Sequence, residues 1–343
     1  MFNPRYNISP KLLDNIKRIA ALTFELNDKS FPQLITLEME RSARALSAYS
    51  STSIEGNPLP LTEVKKILKQ SPKNIRDTEK EVLNYNSALQ YLDKMSKSGN
   101  IAIDIPFICS VQKIVTDGLI AKYRSGKVRD EPVFVNNLQT RMAVYLPPDA
   151  KDVPKLLGEL VKFISSNEGK LDPLIIAGIF HRQFVVIHPF IDGNGRTTRL
   201  LSKALLAKMG LNTFKLFSFE NYYNKNVTAY FQKVGLFGNY YELKDALDFT
   251  EWLEYFTDGI IDELLRVKKE LEKESTAIKP RIRLEYKVVT DFLEKNGSIN
   301  EREYSLLTKR AKSTRILDFK NMQNQDLIER VGKGKNTFYR LKK

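Results

Sequence analysis

Residues 188–199 read His188-Pro189-Phe190-Ile191-Asp192-Gly193-Asn194-Gly195-Arg196-Thr197-Thr198-Arg199. Backbone amides around Gly193-Asn194-Gly195 can turn inward as a nest, which binds anions. A helix that starts at the end of this loop adds unpaired N–H groups and the positive end of its dipole. Arg196 and Arg199 stand three residues apart, so both guanidiniums reach the same side. Two guanidiniums over a nest suit a polyphosphate better than a lone carboxylate. Asp192 has the chemistry to hold Mg2+ against such phosphates. His188, with an unperturbed pKa of about 6.5, can take a proton from an incoming hydroxyl. Taken singly, a histidine, an Asp-Gly-Asn-Gly turn and a pair of arginines are ordinary structural features. Packed into twelve residues, they are more than a turn requires.

The surroundings of the loop predict helices. Residues 172–187 form an apolar run that reads as a buried helix, and a second helix is expected from near Arg196 to a cap at Gly210. Further helices are expected over 32–49, 78–92 (with Thr78-Glu79-Lys80-Glu81 as a capping box), 104–121, 153–165, 219–235 and 245–274. The one clear β signal is a hairpin, residues 132–136 and 142–146 around a polar turn. The expected architecture is mainly α, with this hairpin as a flap. The boundaries read 1–100 for an N-terminal helical region, 101–245 for a catalytic core, 246–280 for a helix and linker and 281–343 for a small separable domain, the linker being Ser275–Pro280.

The chain has 343 residues, 42% hydrophobic and 28% charged, the composition of a folded globular protein. No apolar run approaches a membrane span and the N-terminus has no signal-peptide core. The single cysteine, Cys109, excludes an internal disulfide and reads as a small core residue, so the expected address is the cytoplasm. The net charge is +14, and residues 279–343 hold 17 Lys and Arg against 8 Asp and Glu. The basic character therefore belongs mostly to the tail.

The segment His188-Pro-Phe-x-Asp-Gly-Asn-Gly-Arg-x-x-Arg199 resembles the full signature of Fic domain proteins, with no departure at any signature position. Gly126-Lys127-Val128-Arg129 and Tyr145-Leu146-Pro147-Pro148 resemble the segments that flank the family's flap, and the likeness covers roughly residues 30–245. The resemblance implies a helical core that moves AMP from ATP to a Ser, Thr or Tyr hydroxyl of a protein. It makes His188 the general base, Phe190 the anchor of the loop and Asp192 the Mg2+ ligand. Gly193, Asn194 and Gly195 would hold the phosphates, and Arg196 and Arg199 would contact the β- and γ-phosphates. ATP and Mg2+ are the cofactors implied. Tyr230, Phe231 and Asn239 fall where the family's adenine side lies, although aromatic residues at helical spacing are commonly core. His181, seven residues before His188, reads as structural.

Ser51-x-x-x-Glu55-Gly56 resembles the inhibitory motif of Fic proteins that carry it N-terminal to the core. The resemblance pairs Glu55 with Arg199, where carboxylate and γ-phosphate compete for one guanidinium. Such a charge-assisted contact is worth about 1.5–3 kcal/mol, tenfold suppression or more. Val133, Phe134, Val135 and Asn136, with the return strand to 146, would form the flap on which an unnamed target protein docks by strand addition. The chain itself is a further expected acceptor of AMP. In the tail, helices over 282–296, 300–310 and 313–330 and an alternating stretch around Gly332-Lys333-Gly334 look like a winged helix-turn-helix, which binds protein or DNA. A homodimer is also open, and no membrane partner is expected. Competing readings are removal of AMP by the same site, transfer of UMP or phosphocholine, and a DNA-binding regulator whose core senses nucleotide. The intact His188 argues against the last.

Overall fold

The computed structural model describes residues 2–28, 33–70, 75–97, 102–136, 142–207, 216–281, 284–324 and 327–342. In chain order the elements are α1 (Pro10–Asp28), α2 (Gln33–Ile54), α3 (Leu61–Gln70), α4 (Asp77–Lys97), α5 (Ile105–Val115), β1 (Val135–Asn136), β2 (Ala143–Leu146), α6 (Val153–Asn167), α7 (Pro173–Ile187), α8 (Asn194–Ala207), α9 (Glu220–Lys225), α10 (Val227–Val234), β3 (Gly238–Asn239), α11 (Tyr240–Leu243), α12 (Thr250–Arg281), α13 (Leu284–Asn296), α14 (Glu301–Leu307), α15 (Lys312–Asn324), β4 (Ile328–Val331) and β5 (Phe338–Leu341). The fold is mainly helical, as the periodicity implied.

The chain divides into two compact units. The first comprises Met1–Lys29 and Ser42–Val267; the second comprises Ser30–Arg41 and Lys268–Lys343. Within the first, α7 is central. Its N-cap Asp172 accepts from the Leu174 amide, Pro173 fills the first helical position, and nearly every side is buried. It packs against α6, α8 and α10, and α8 packs in turn against α4 and α5. Trp252 of α12 donates its indole N–H to the Gly178 carbonyl at 2.7 Å, and a Cβ at Gly178 would meet Leu253 Cδ2 at 2.6 Å. A glycine there lets α12 lie against the middle of α7. β1 pairs antiparallel with β2 (Val135 opposite Tyr145), and β2 pairs parallel with β3 (Tyr145 opposite Gly238), which leaves β1 at the edge.

The second unit has its own core, built from Tyr286, Val289, Leu293, Ile299, Tyr304, Phe319, Met322, Leu327, Ile328 and Leu341. Leu37, from the start of α2, packs against it, and Arg41 donates to the Lys342 carbonyl at 2.8 Å. β4 and β5 form an antiparallel hairpin, and Ile299 bridges to Tyr339.

Several boundaries differ from expectation. The stretch read as the linker, 275–280, lies inside α12 and contains no glycine to break the helix. The expected four-part division gives way to two units, because Ser30–Arg41 belongs with the tail. The helix expected over 219–235 is two, since Asn226 leaves helical geometry at φ −145° and caps α10 through Ala229 N–H. α4 begins at Asp77, and Glu79 folds back to accept from the Arg76 amide at 3.0 Å, so Thr78 is not the cap. α5 ends at Val115 and α15 at Asn324, and the expected flap strands shorten to 135–136 and 143–146. Cys109 is half-buried, and burial raises its thiol pKa. Gly210 and the flap turn 137–141 lie outside the described residues. Among those described, no helix is long and apolar enough to cross a membrane.

Candidate active site

The motif loop is closed by its own side chains. Asn194 Oδ1 accepts from the Phe190 amide at 2.9 Å and its Nδ2 donates to the Phe190 carbonyl at 2.8 Å, while the Phe190 ring is fully buried. The Asn194 side chain therefore shapes the loop, and what it leaves for an anion is backbone. Gly193 sits at φ +79°, and a Cβ there would meet Thr116 Cγ2 at 2.9 Å. Both the conformation and the space require glycine. α8 begins at Asn194 with the first-turn amides that have no intrahelical acceptor.

His188 ends α7 in the left-handed region, φ 51° and ψ 61°. Its Nδ1 lies 3.3 Å from the Val185 carbonyl, which fixes Nδ1 as the protonated nitrogen and leaves Nε2 to accept. Burial pushes the imidazole pKa down to about 4, with the Arg129 charge adding to the shift. The ring keeps partial exposure where it faces the cavity. It is neutral near pH 7. Arg129 braces this turn: it is 3% exposed and donates to the carbonyls of His188 (2.8 Å), Glu131 (3.1 Å) and Pro148 (2.5 Å). Gln112 donates to the Asp192 carbonyl at 3.0 Å and accepts from Gly126 N–H at 2.6 Å.

Arg199 is fully buried, and its contacts face α2. Nε donates to Ser51 Oγ at 2.8 Å; Nη2 donates to the Ser51 carbonyl at 2.9 Å and to Glu55 Oε1 at 2.6 Å. Glu55 follows the last turn of α2, which Gly56 terminates at φ +94°. A Cβ at Gly195 would collide with Glu55 Oε1, so the carboxylate rests against the cradle itself. Arg196 lies 4% exposed, with Nη2 3.0 Å from both oxygens of Asp192 and Nη1 3.5 Å from Glu81 Oε1. Its Nε and Nη1 donate to no hydrogen-bond acceptor. Buried guanidinium donors left open beside a nest fit phosphate oxygens. Asp192 is more exposed and accepts from Gly193 N–H at 2.6 Å.

A cavity of about 410 Å³ opens beside these groups. Glu55, His188, Gly195 and Arg199 line one side, Val135, Asn136 and Tyr145 of the hairpin another, and Tyr230, Phe231 and Phe237 a third. Of the expected site, Glu55, Val135, Asn136, His188, Asn194, Gly195, Arg199, Tyr230 and Phe231 line this cavity, whereas Ser51, Asp192, Gly193 and Arg196 stand behind its wall. Val133 and Phe134 precede the paired part of the flap, with Phe134 60% exposed. Asn239 stands apart from the cavity wall, its side chain capping α11 through Tyr241 N–H at 2.9 Å. The Tyr230 ring is 1% exposed and stacked on Tyr223, and its hydroxyl is held by His181. The Ser202 hydroxyl donates to the Thr198 carbonyl, so it accepts from His181 Nδ1–H. His181 Nε2 then accepts from Tyr230, whose oxygen faces Arg199 Nη1 at 3.5 Å. Burial, then the Arg199 charge, hold His181 well below the ordinary histidine range, as this neutral role requires.

The sequence reading missed Gln112, the bracing role of Arg129, and a buried group of Ser47, Tyr85, Lys203 and Glu220. The signal for the last was the spacing: Ser47, Ser51 and Glu55 recur every four residues on one helix, Arg199 and Lys203 on another.

A glycine cradle at a helix N-terminus, a histidine beside it and an edge strand alongside make a helical domain whose site has the chemistry to hold an anion such as a phosphate. Residues 102–206 match the model of the Fic/DOC family, and this part of the chain is a Fic domain. The chain is 28% identical over 228 residues to Protein adenylyltransferase Fic of Aedes aegypti, covering 61% of this chain and 43% of that protein. It is 30% identical over 210 residues to Protein adenylyltransferase Fic of Nematostella vectensis, covering 59% and 46%. It thus spans less than half the length of these curated relatives. A crystal structure of a Fic family protein from Desulfovibrio desulfuricans superposes with a TM-score of 0.68 at 19% identity, over 99% of this chain and 98% of that one, a likeness of fold.

Proposed function

We propose that the chain is a protein adenylyltransferase restrained by its own Glu55, acting in the cytoplasm on hydroxyls of proteins and of itself. One observation carries the restraint: the Glu55 carboxylate sits on Arg199 inside the cavity that His188 faces, against Gly195 of the cradle. The α8 amides and the open donors of Arg196 would take the phosphates of ATP, and Arg199 the γ-phosphate once Glu55 yields it. A target segment would extend the sheet at β1, bringing its hydroxyl toward His188. Nε2 then takes the proton as the hydroxyl oxygen bonds to the α-phosphorus and the bond to the pyrophosphate oxygen breaks. Mg2+ would neutralise the phosphates, with Asp192 as its protein ligand. No cluster of three or more His, Cys, Asp or Glu suited to caging an ion occurs among the described residues, so the phosphates and water would supply the rest.

The test is intact-mass analysis with ATP and Mg2+. Glu55→Gly is expected to raise self-modification or target labelling at least tenfold, Arg199→Ala in that background to cancel the gain, and His188→Ala to abolish transfer while ATP still binds. A Glu55→Gly protein no more active than the parent across several candidate targets would sink the restraint. Because Glu55 shares the cavity with His188, removal of AMP with Glu55 orienting water is a second reading. It requires that the parent, and not Glu55→Gly, strip AMP from a modified protein.

We read the second unit as a winged-helix-like module that docks protein rather than DNA. Arg310, Arg315 and Arg340 are paired with Asp318, Glu301 and Glu329, and Leu306, Ile316 and Leu317 stand 81%, 52% and 53% exposed. Strongly salt-dependent binding to a mixed duplex would reverse that choice.

A further inference from the structure

We propose that Ser47, Lys203 and Glu220 form a second latch on the inhibitory helix, and that this latch sets how firmly Glu55 holds Arg199. The inference rests on the reading of Glu55 as a restraint. Ser47, Ser51 and Glu55 lie at successive four-residue steps of α2, and Arg199 and Lys203 one such step apart on α8. Each residue of α8 meets its own rung of α2. Arg199 takes Ser51 and Glu55; Lys203 Nζ donates to Ser47 Oγ at 2.5 Å.

The lower rung is closed. The Lys203 and Glu220 side chains are 3% and 0% exposed and stand 3.2 Å apart. Glu220 also accepts from the Tyr85 hydroxyl at 2.7 Å and from the hydroxyls of Ser47 and Ser218 at 3.3 Å. A buried ion pair holds only when the remaining donors and acceptors around it are met. Ser47 is the member of this group that belongs to α2, and its one hydroxyl both accepts from Lys203 and donates to Glu220. When α2 withdraws to release Glu55, a buried ammonium loses an acceptor and a buried carboxylate loses a donor. Release at Arg199 is therefore opposed one helical turn away, outside the cavity wall, by residues that touch neither nucleotide nor target.

The test reads ATP affinity by titration calorimetry in Mg2+ buffer, alongside self-modification by intact mass, on the full chain. Ser47→Ala keeps the helix and removes the hydroxyl. It is expected to tighten ATP binding about three- to tenfold and to raise self-modification in step. In a Glu55→Gly background the same change is expected to do nothing, because the contact it loosens is already gone. Lys203→Met combined with Glu220→Gln removes the charges together and is expected to match Ser47→Ala. An unaltered affinity in Ser47→Ala beside an activated Glu55→Gly overturns the latch alone. So does an equal change in both backgrounds, which would mark a plain packing role. A Glu55→Gly protein that binds ATP no better than the parent overturns the restraint and the latch together.

Discussion

At the scale of single residues, His188 is held where an L-residue is uncomfortable. It is the one non-glycine with positive φ among the described residues, and the left-handed region costs a residue with a Cβ about 1–2 kcal/mol. His188→Gly should therefore be more stable than His188→Ala by about 1 kcal/mol, although both lack the imidazole; equal melting temperatures would mean that the loop relaxes. Burial holds the His188 pKa down at about 4. The rate of the Glu55→Gly protein should then stay level as pH falls from 8 toward 6, with no inflection near the free-histidine value of about 6.5. An inflection there would show the ring more hydrated than its burial implies. For stability the sign runs the same way at both histidines. The unfolded chain binds their protons first, so acidification below about pH 6.5 destabilises the fold. The motif residues were legible in the sequence because their chemistry is local, within one loop. His181 and Ser47 were not, since their partners Tyr230 and Lys203 stand 49 and 156 positions away along the chain; the four-residue spacing places Ser47 on the face of Ser51 and Glu55 but does not name its partner.

At the scale of elements, the apolar run 172–187 and its Asp172 cap made α7 plain, and the hairpin was recognisable from its β-branched and aromatic residues. What failed was punctuation. Asn226 breaks the expected 219–235 helix by serving as a cap, a choice that depends on Ala229 N–H being presented to it. The α12 segment was cut too early because Ser275 and Thr276 read as a linker when no glycine or early proline enforced one. Arg129 shows how an element outside the motif governs it: one guanidinium holds the end of α7, the approach to β1 and the exit of β2 through three carbonyls. Arg129→Lys keeps the charge but not the fork. It is expected to lower kcat by on the order of tenfold or more through misplacement of His188, with ATP affinity little altered. A loss confined to ATP affinity would instead place Arg129 with the phosphates.

At the scale of the whole molecule, the division of the chain is not the one its order suggests. The tail was expected to be separable at 275–280, yet its unit includes Ser30–Arg41, with Leu37 in its core and Arg41 bonded to the Lys342 carbonyl. A chain ending at Thr276 would strip these partners from the first turns of α2, the helix whose far end leads to Glu55. Such a chain is expected to fray at residues 33–41, seen as faster amide exchange there, and to self-modify more than the full-length protein even with Glu55 intact. Unchanged exchange and unchanged activity would mean that those turns stand by themselves. For recombination, in the laboratory or in descent, the tail and residues 30–41 then travel as one piece, while Glu55 stays with the first unit. A replacement C-terminal module could be inherited without loosening the first turns of α2 only if it also brought an apolar seat for Leu37 and a carbonyl for Arg41.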